Sequence, residues 1–269
     1  MAQIRMEEDF KLLDPTLRFS SRVEYYVRSR PRYPQALLDF CRDELGLARG
    51  KKIADIGSGT GFLSELFLRA GYEVFGVEPN EAMRLAAEKH LAGFANFHSV
   101  NARAEATGLS AGAVDFVVAG QAFHWFDRPK TRVEFRRILG PGGWVMLVWN
   151  DRLKSQNAGD FSSEYDAVIK EFQTDLKRVS HADLTSRDST ALSDFFAPNA
   201  VQMRSFDNPQ TLDADGVIAR ALSSSYLPLP GQARCEEMIE RLHRIVERCG
   251  ENGKVVQPYT AKVYYGRLN

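Results

Sequence analysis

The feature that most constrains the fold is a glycine-rich stretch at residues 55–63, which reads DIGSGTGFL. Three glycines occupy alternate positions after an acidic residue, and an apolar helical pattern follows them. Glycine destabilises the interior of both helices and strands, so this cluster indicates a turn. Glycines in such a turn let the main chain approach a ligand closely. The stretch therefore predicts a turn from a strand into a helix, beside a bound ligand.

Strand and helix patterns alternate on both sides of this turn, as far as residue 150. The predicted strands are the apolar runs 51–57, 72–78, 95–100, 113–120 and 141–150, and the predicted helices are the amphipathic stretches 34–45, 60–71, 80–90 and 127–139. This alternation predicts an α/β fold with a doubly wound, mostly parallel sheet and helices on both faces. Ligands of such sheets bind beyond the carboxyl ends of the strands, where the glycine turn falls.

The pattern changes after residue 150. We predict a long helix at 160–179, an irregular segment at 180–199, a strand at 200–206, helices at 211–225 and 232–250, and a final strand at 255–268. The two late strands are expected to form an antiparallel edge, with the helical insertions capping the site. No linker is evident. We therefore predict a single domain over 1–269, composed of an N-terminal arm at 1–33, a core at 34–150 and a C-terminal part at 151–269.

Composition narrows the possible partners. The chain has 35 basic and 35 acidic residues, so its zero formal net charge gives no electrostatic reason to expect nucleic-acid binding. It has no run of 18 apolar residues and no apolar segment near its N-terminus, so we expect neither a membrane span nor a signal peptide. The three cysteines lack metal-ligand spacing. We expect a cytoplasmic protein without a metal site.

The spacing of the glycines separates two classes of ligand. A dinucleotide fingerprint reads G-x-G-x-x-G, whereas here the third glycine comes one residue early and Phe62 stands in its place. The stretch resembles motif I of the class I S-adenosylmethionine-dependent methyltransferases. That resemblance implies a Rossmann-like, seven-stranded methyltransferase fold. It also implies that S-adenosyl-L-methionine, with S-adenosyl-L-homocysteine as product, binds at Asp55, Gly57, Ser58, Gly59, Thr60 and Gly61.

Two further segments extend the resemblance. Glu78 and Pro79 end the second strand, where the acid of this family binds both ribose hydroxyls. Residues 101–118 resemble the family segment in which an acid contacts the adenine amino group and the next N–H meets the ring. Arg103 replaces that acid, so only the backbone contact at Ala104 is expected. A plain reading stays open, with the glycines forming a structural turn and Glu78 a solvated acid.

The loop after the fourth strand, GQAFHWFD at 120–127, is less generic. In class I enzymes it lies beside the reactive methyl group, which implies that Gln121 lines the methionine side of the cofactor. His124 is a candidate general base, because its ordinary pKa is near neutrality. Alternatively, His124 and Trp125 plug the end of the sheet. Trp125 is also a candidate substrate contact.

The N-terminal stretch YYVRSRPRYP, residues 25–34, resembles the lid of small-molecule methyltransferases similar to the trans-aconitate methyltransferase-like proteins. On this resemblance, Arg30 holds the methionine carboxylate and Tyr26 and Tyr33 close over the methyl group. The alternative is a polar arm with solvated arginines. In the C-terminal half, Tyr226 is a candidate substrate contact, although aromatic side chains more often pack cores.

Together these residues predict an enzyme that methylates a small-molecule acceptor at oxygen or nitrogen by in-line transfer. The protein then mainly aligns the two reactants and excludes water. We expect a monomer or a homodimer. Two alternatives stay open: a catalytically idle S-adenosylmethionine-binding module, and a nicotinamide-dependent oxidoreductase, against which Phe62 counts.

Overall fold

The computed structural model describes residues 22–155, 157, 159–174, 182–185 and 189–268. Its strands are β1 Lys52–Ile56, β2 Glu73–Val77, β3 Phe97–Val100, β4 Val114–Gly120, β5 Leu139–Arg152, β6 Gln202–Asp207, β7 Gln210–Asp213, β8 Lys254–Gln257 and β9 Tyr259–Gly266. Its helices are α1 Val23–Ser29, α2 Gln35–Asp43, α3 Phe62–Leu68, α4 Glu81–His90, α5 Arg128–Ile138, α6 Phe161–Phe172, α7 Ala182–Thr185, α8 Ala191–Phe196, α9 Ala214–Leu222 and α10 Cys235–Cys249.

The main sheet has seven strands in the order β3-β2-β1-β4-β5-β9-β6. Strands β1 to β5 are parallel, and β9 runs antiparallel to both of its neighbours. The predicted doubly wound, mostly parallel seven-stranded sheet is therefore confirmed. The strand order reverses between β1 and β4, and this switch point is where sheets of this kind bind ligands.

Both faces of the sheet are buried, as expected for parallel strands. Ile53 joins the apolar cluster on one face, where α2 and α3 pack. Its neighbour Ala54 joins the cluster on the other face, which contains Phe135 of α5 and Phe195 of α8. Alternate side chains of β1 thus serve opposite layers. Because both faces of the sheet are covered, polar side chains are found at the ends of the strands.

The helices of the C-terminal half form a third apolar cluster of their own. Val168 of α6, Val217 of α9 and Leu242 of α10 are buried there together with Val255 of β8. The strands β7 and β8 pair only with each other, outside the main sheet. This cluster supports the expected helical insertion, and its helices border the cavity described below.

Two expectations for the C-terminal half were wrong in detail. Residues 180–199 are not irregular throughout, because they include α7 and α8. Helix α8 buries Leu192 and Phe196 against the sheet, but six residues are too few for a periodic signal. The long helix expected at 160–179 ends at Phe172, residues 173–174 are not helical, and residues 175–179 lie outside the described ranges.

The boundaries of the late strands also differ from those expected. Residues 211–213, expected to begin a helix, belong to β7, and Asp213 caps α9 by accepting the N–H of Gly216 at 2.8 Å. The stretch 255–268 is not one strand, because Pro258 separates β8 from β9. Proline has no N–H to donate to a ladder, so the chain passes there from the small sheet to the large one.

The described part of the N-terminal arm is folded against the C-terminal half. Residues 1–21 of this arm lie outside the described ranges. Helix α1 packs on α9, and buried Arg22 donates hydrogen bonds to the carbonyls of Leu222 at 2.6 Å and Leu227 at 2.8 Å. None of the described helices combines the length and the apolar character needed to cross a bilayer.

Candidate active site

One cavity of about 960 Å³ lies at the carboxyl edge of the sheet, between β1, β2, β4 and the helices of the C-terminal half. Fifteen of the sixteen residues named from the sequence line it. They are Tyr26, Arg30, Tyr33, Asp55, Gly57, Ser58, Gly59, Thr60, Glu78, Pro79, Ala104, Gln121, His124, Trp125 and Tyr226. Gly61 is the exception. The fold thus brings these residues into one cavity, while the role of each stays a prediction.

The three glycines of the turn are needed for different reasons. A Cβ on Gly57 would lie 2.5 Å from the Cβ of Ala122, and one on Gly61 would lie 2.6 Å from Cδ1 of Leu91. These two residues let the turn pack. A Cβ on Gly59 would meet nothing within 4 Å, because this residue borders the open cavity. Gly59 therefore leaves room for a ligand, whereas Gly61 contributes packing and not cavity surface.

Glu78 fastens the glycine turn to the end of β2. Its Oε2 accepts the N–H of Gly59 at 2.9 Å, and its Oε1 accepts the N–H of Asn80 at 2.8 Å. Burial raises the pKa of Glu78, and these two N–H groups oppose that rise. The reading of Glu78 as a solvated acid is therefore wrong. Each carboxylate oxygen has a second lone pair, which leaves acceptors for a vicinal diol.

Asp55 is a fully buried acid beneath the turn. Its Oδ2 accepts the hydroxyl of Ser64 at 2.7 Å, which ties the end of β1 to α3. Its Oδ1 is buried and has no hydrogen-bond partner among the described residues, and Asp55 is one of the residues that line the cavity. Burial raises the pKa of Asp55 to about 7. This carboxyl group orients the turn and keeps one acceptor for a ligand.

The loop after β4 is anchored by a buried aromatic ring, and its first residue has an unfavourable backbone conformation. Phe123 is fully buried, and its ring meets that of Phe195 edge-on at 4.7 Å. Gln121 has φ +58°, a region that costs a residue other than glycine roughly 1–3 kcal/mol. Its backbone N–H donates to the carbonyl of Val148 at 2.8 Å, and its side-chain amide donates to that of Asn150 at 3.2 Å. The strain presents Gln121 to the cavity.

His124 and Trp125 follow in a short 3₁₀ turn, Phe123–Trp125. Their ring centroids are 5.1 Å apart, and both residues line the cavity. An imidazole in this position can hold a proton taken from an acceptor. The same position is compatible with a plug at the end of the sheet, so the role of His124 as a base stays a prediction.

The segment after α1 lies over the glycine end of the cavity, which is the part lined by Gly57, Gly59 and Glu78. The hydroxyl of Tyr33 fits against Gly120, where a Cβ would lie only 2.3 Å from it. Burial raises the pKa of this hydroxyl well above its usual range. Arg32 stacks on the ring of Phe62 at 3.6 Å and pairs with Glu65 at 2.6 Å. These contacts pack the segment against the core, and its role as a lid stays a prediction.

Arg30 joins the arm to the C-terminal half. Its guanidinium lies 4.8 Å from the ring centroid of Tyr26. It donates to the hydroxyl and to the carbonyl oxygen of Ser223, both at 3.1 Å. Burial lowers the pKa of Arg30, and the nearby charge of Arg220 lowers it further. Because Ser223 already occupies two of its donors, the clamp on the methionine carboxylate stays a prediction.

Comparison with known proteins agrees with this geometry. Residues 54–147, which run from β1 to β5, match the family model of a methyltransferase domain. Residues 54–147 thus form a methyltransferase domain. Over 143 residues it is 34% identical to an uncharacterised methyltransferase of Mycobacterium tuberculosis, covering 52% of this chain and 54% of that relative. A fission-yeast relative, from Schizosaccharomyces pombe, is 32% identical over 50% of this chain and 52% of its own. The matches thus span about half the length of these relatives.

Solved structures extend the likeness in fold beyond the methyltransferase domain. A candidate type II methyltransferase from Anaeromyxobacter dehalogenans superposes with a TM-score of 0.59 at 23% identity, over 88% of this chain and 97% of that one. A candidate methyltransferase from Bacillus halodurans superposes with a TM-score of 0.52 at 16% identity, over 86% and 97%. At these identities the likeness shows the fold alone.

The residues present fit S-adenosylmethionine, the cofactor that the resemblance implies. The open space at Gly59 accommodates a ligand, and the Glu78 carboxylate beside it suits the ribose hydroxyls. Ala104 is buried at the cavity wall, whereas Arg103, which replaces the expected acid, is exposed. The departure at Arg103 therefore leaves the rest of the glycine end intact.

Sequence reasoning missed several residues of the methyltransferase site. Arg220, Tyr165 and Tyr259 line the C-terminal side of the cavity, and Arg220 Nε donates to the Tyr259 hydroxyl at 3.0 Å. Burial raises the pKa of Tyr165 to about 12. A signal for Arg220 was present, because it interrupts the apolar run GVIARAL. Tyr259 begins the stretch YTAKVYYGRL, whose aromatic residues were expected toward the pocket, whereas Tyr165 had no comparable local signal.

Proposed function

We propose that this protein transfers a methyl group from S-adenosylmethionine to a small-molecule acceptor, at oxygen or nitrogen. One observation carries the proposal: a single cavity runs from the glycine turn of the methyltransferase domain to a second set of side chains in the C-terminal half. A site for the cofactor alone needs only the residues around the glycine turn. The second set, with Arg220 and Tyr259, offers surface to an acceptor.

The chain's own residues then act mainly by alignment and by exclusion of water. When bound, the cofactor supplies an activated methyl group and a good leaving group. Tyr33 and the Arg32–Phe62 stack cover the site. His124 is the residue that would take a proton from an alcohol, phenol or ammonium acceptor. A carboxylate acceptor needs no such base.

The remaining expectations belong to the same proposal. We infer a cytoplasmic enzyme, monomeric or homodimeric, with neither nucleic acid nor membrane as partner. The balanced charge of the chain supports the part of this inference that concerns nucleic acid. The likeness to trans-aconitate methyltransferase-like proteins likewise stays a proposal. It is supported by the arm at Arg30 and Tyr33, which lines the cavity as a lid would.

The test begins with calorimetry of S-adenosylhomocysteine binding. We expect micromolar affinity, about −8 kcal/mol, for the unmodified protein. Gly59→Val fills the open space beside Glu78 and should abolish binding. The matched control is Gly71→Val, since Gly71 also has positive φ and open surroundings but lies outside the cavity lining. Equal binding by Gly59→Val and the unmodified protein would refute the cofactor site.

Turnover is tested separately. The protein is incubated with S-adenosylmethionine and a panel of metabolites, and release of S-adenosylhomocysteine is measured. We expect at least one acceptor to stimulate release above the rate without acceptor, and Gly59→Val to lose that stimulation. Binding without stimulation across a broad panel would favour an idle binding module.

A further inference from the structure

Carboxylates and guanidinium groups on the C-terminal side of the cavity differ in whether they have an ion-pair partner. On the C-terminal side, Asp151 pairs with Lys262 at 2.9 Å, and Asp166 pairs with Arg152. Both acids that line this side are therefore neutralised within the chain. Arg220 also lines this side, and it forms no ion pair with any residue that the structure describes.

The partners of Arg220 are neutral oxygens. Its Nε donates to the Tyr259 hydroxyl at 3.0 Å, and its Nη1 lies 3.5 Å from the hydroxyl of Ser224. Arg30, the second guanidinium of this region, is bound by the hydroxyl and carbonyl of Ser223. Within the described ranges, Arg30 also lacks a carboxylate partner. Two guanidinium groups thus face the C-terminal side of the cavity, and neither has a carboxylate partner among the described residues.

This arrangement is unfavourable without a ligand. A partly buried charge is costly unless it is paired, and like charges repel more strongly away from bulk water. At Arg30, burial and then the charge of Arg220 lower the pKa, whereas at Arg220 burial is outweighed by Tyr259 and Tyr165, which raise the pKa. Exposed arginines such as Arg69 and Arg248 pair with Glu65 and Glu164. Arg30 and Arg220, by contrast, leave positive charge at the cavity wall that a bound anion would balance.

We propose that the C-terminal end of the cavity binds a negatively charged oxygen group of the acceptor through Arg220, with Arg30 adding positive charge beside it. This inference rests on the proposed function and narrows the acceptor to organic anions. A guanidinium matches a carboxylate or a phosphate with two parallel N–H groups. The side chains of Tyr165, Tyr226 and Tyr259 line the same end, so a flat organic body beside the anion fits the wall.

The experiment uses protein loaded with S-adenosylhomocysteine and matched pairs of probes. Benzoate is compared with benzamide, and phenyl phosphate with benzyl alcohol, by saturation-transfer NMR in a buffer free of carboxylate and phosphate. We expect one anion or both to bind at least tenfold more tightly than the neutral partner. The pair that shows the preference distinguishes a carboxylate site from a phosphate site. No preference in either pair would overturn the proposal.

Variants assign the preference to Arg220. Arg220→Gln should weaken anion binding at least tenfold, and Arg220→Lys should restore much of it. Arg244→Gln, which removes an exposed guanidinium that pairs with Glu240, is the matched control. Thermal unfolding of each variant shows whether it is folded. Unchanged anion binding in folded Arg220→Gln would overturn the assignment.

Affinity for S-adenosylhomocysteine separates the possible failures. If Arg220→Gln weakens cofactor binding tenfold, Arg220 serves the methionine carboxylate and the present inference is wrong. If the unmodified protein does not bind the cofactor at all, the proposed function itself fails. If cofactor binding is intact and neither anion is preferred, only the present inference fails.

Discussion

The two ends of the cavity differ in the charge that they bury and in how the chain builds them. The glycine end contains the buried acids Asp55 and Glu78, both with raised pKa values because of burial. At the arginine end, defined by Arg30 and Arg220, the two guanidinium groups donate hydrogen bonds to neutral oxygens within the described part of the chain. One end therefore suits hydroxyl and cationic groups, and the other suits an anion.

The assembly of the two ends differs as much as their charge. Asp55, Gly59 and Glu78 lie within 24 residues of one another, at the ends of two adjacent strands. At the arginine end, by contrast, Arg30 meets Ser223 across 193 positions of the chain. A local motif can specify the first arrangement. The second exists only once the N-terminal arm and the C-terminal half have docked.

The largest expected effect concerns the acid at the glycine end. Folding raises the pKa of Asp55 to about 7. Between the ordinary pKa of an aspartate and pH 7, the folded protein therefore keeps a proton on Asp55 that the unfolded chain has released. That contribution to stability is complete below the unfolded pKa and is lost as pH rises through 7. Asp55→Asn removes the titration. The unfolding free energy of the variant, measured against that of the unmodified protein, should therefore be higher at pH 8 than at pH 4, by up to about 4 kcal/mol.

Urea unfolding of both proteins at a series of pH values measures this effect. Asp39→Asn is the control, because it removes one carboxylate at an exposed position of α2. Identical pH dependence in Asp55→Asn and the unmodified protein would show that Asp55 is not the buried acid described here.

The next effect tests the anchor of the arginine end. Arg22→Ala removes two buried hydrogen bonds to the carbonyls of Leu222 and Leu227, and we expect a loss of roughly 3 kcal/mol in unfolding free energy. Arg28→Ala on the same helix removes only an exposed ion pair with Asp215, which contributes about 0–1 kcal/mol. Chemical denaturation of both variants checks the difference. Equal losses would mean that Arg22 does not hold the arm in place.

Glu78→Gln should weaken S-adenosylhomocysteine binding by at least about tenfold, or roughly 1.4 kcal/mol. Glutamine keeps one acceptor oxygen but loses the charge that strengthens bonds to N–H and hydroxyl groups. Glu81→Gln, an exposed acid in the first turn of α4, is the control. If calorimetry finds that Glu78→Gln changes the affinity for S-adenosylhomocysteine by less than twofold, then Glu78 stabilises the glycine turn and does not bind the ligand.

The smallest effect concerns the arm that joins the two ends. We expect S-adenosylhomocysteine to slow hydrogen exchange over residues 22–33 by roughly threefold, because bound ligand favours the closed state. The change is modest since Arg22, Arg30 and Arg32 already fasten the arm. The same experiment on Arg30→Ala shows whether Arg30 contributes. Equal exchange with and without ligand would separate the arm from cofactor binding.

Much of the parallel half could be predicted because its signals are local. Asn80 accepts the N–H of Met83 at 3.0 Å and begins α4 where the sequence indicates a cap. Errors concentrate after residue 150. There α8 is too short to show a period, and Pro258 divides what reads as one strand. The anchoring of Gly59 by Glu78 was also not predicted, because both hydrogen bonds depend on the register of two strands.

By itself, the sequence determined the order of strands and helices from residue 34 to residue 150, the glycine turn and the acid at the end of β2. These follow from side-chain period and backbone freedom, which act over a few residues. Only the tertiary structure decided that Arg30 and Arg220 share one cavity, where neither has a carboxylate partner among the described residues, and that the arm lines this cavity. The physical reason is that charge pairing depends on distance in space, and the sequence does not give that distance for residues 190 positions apart.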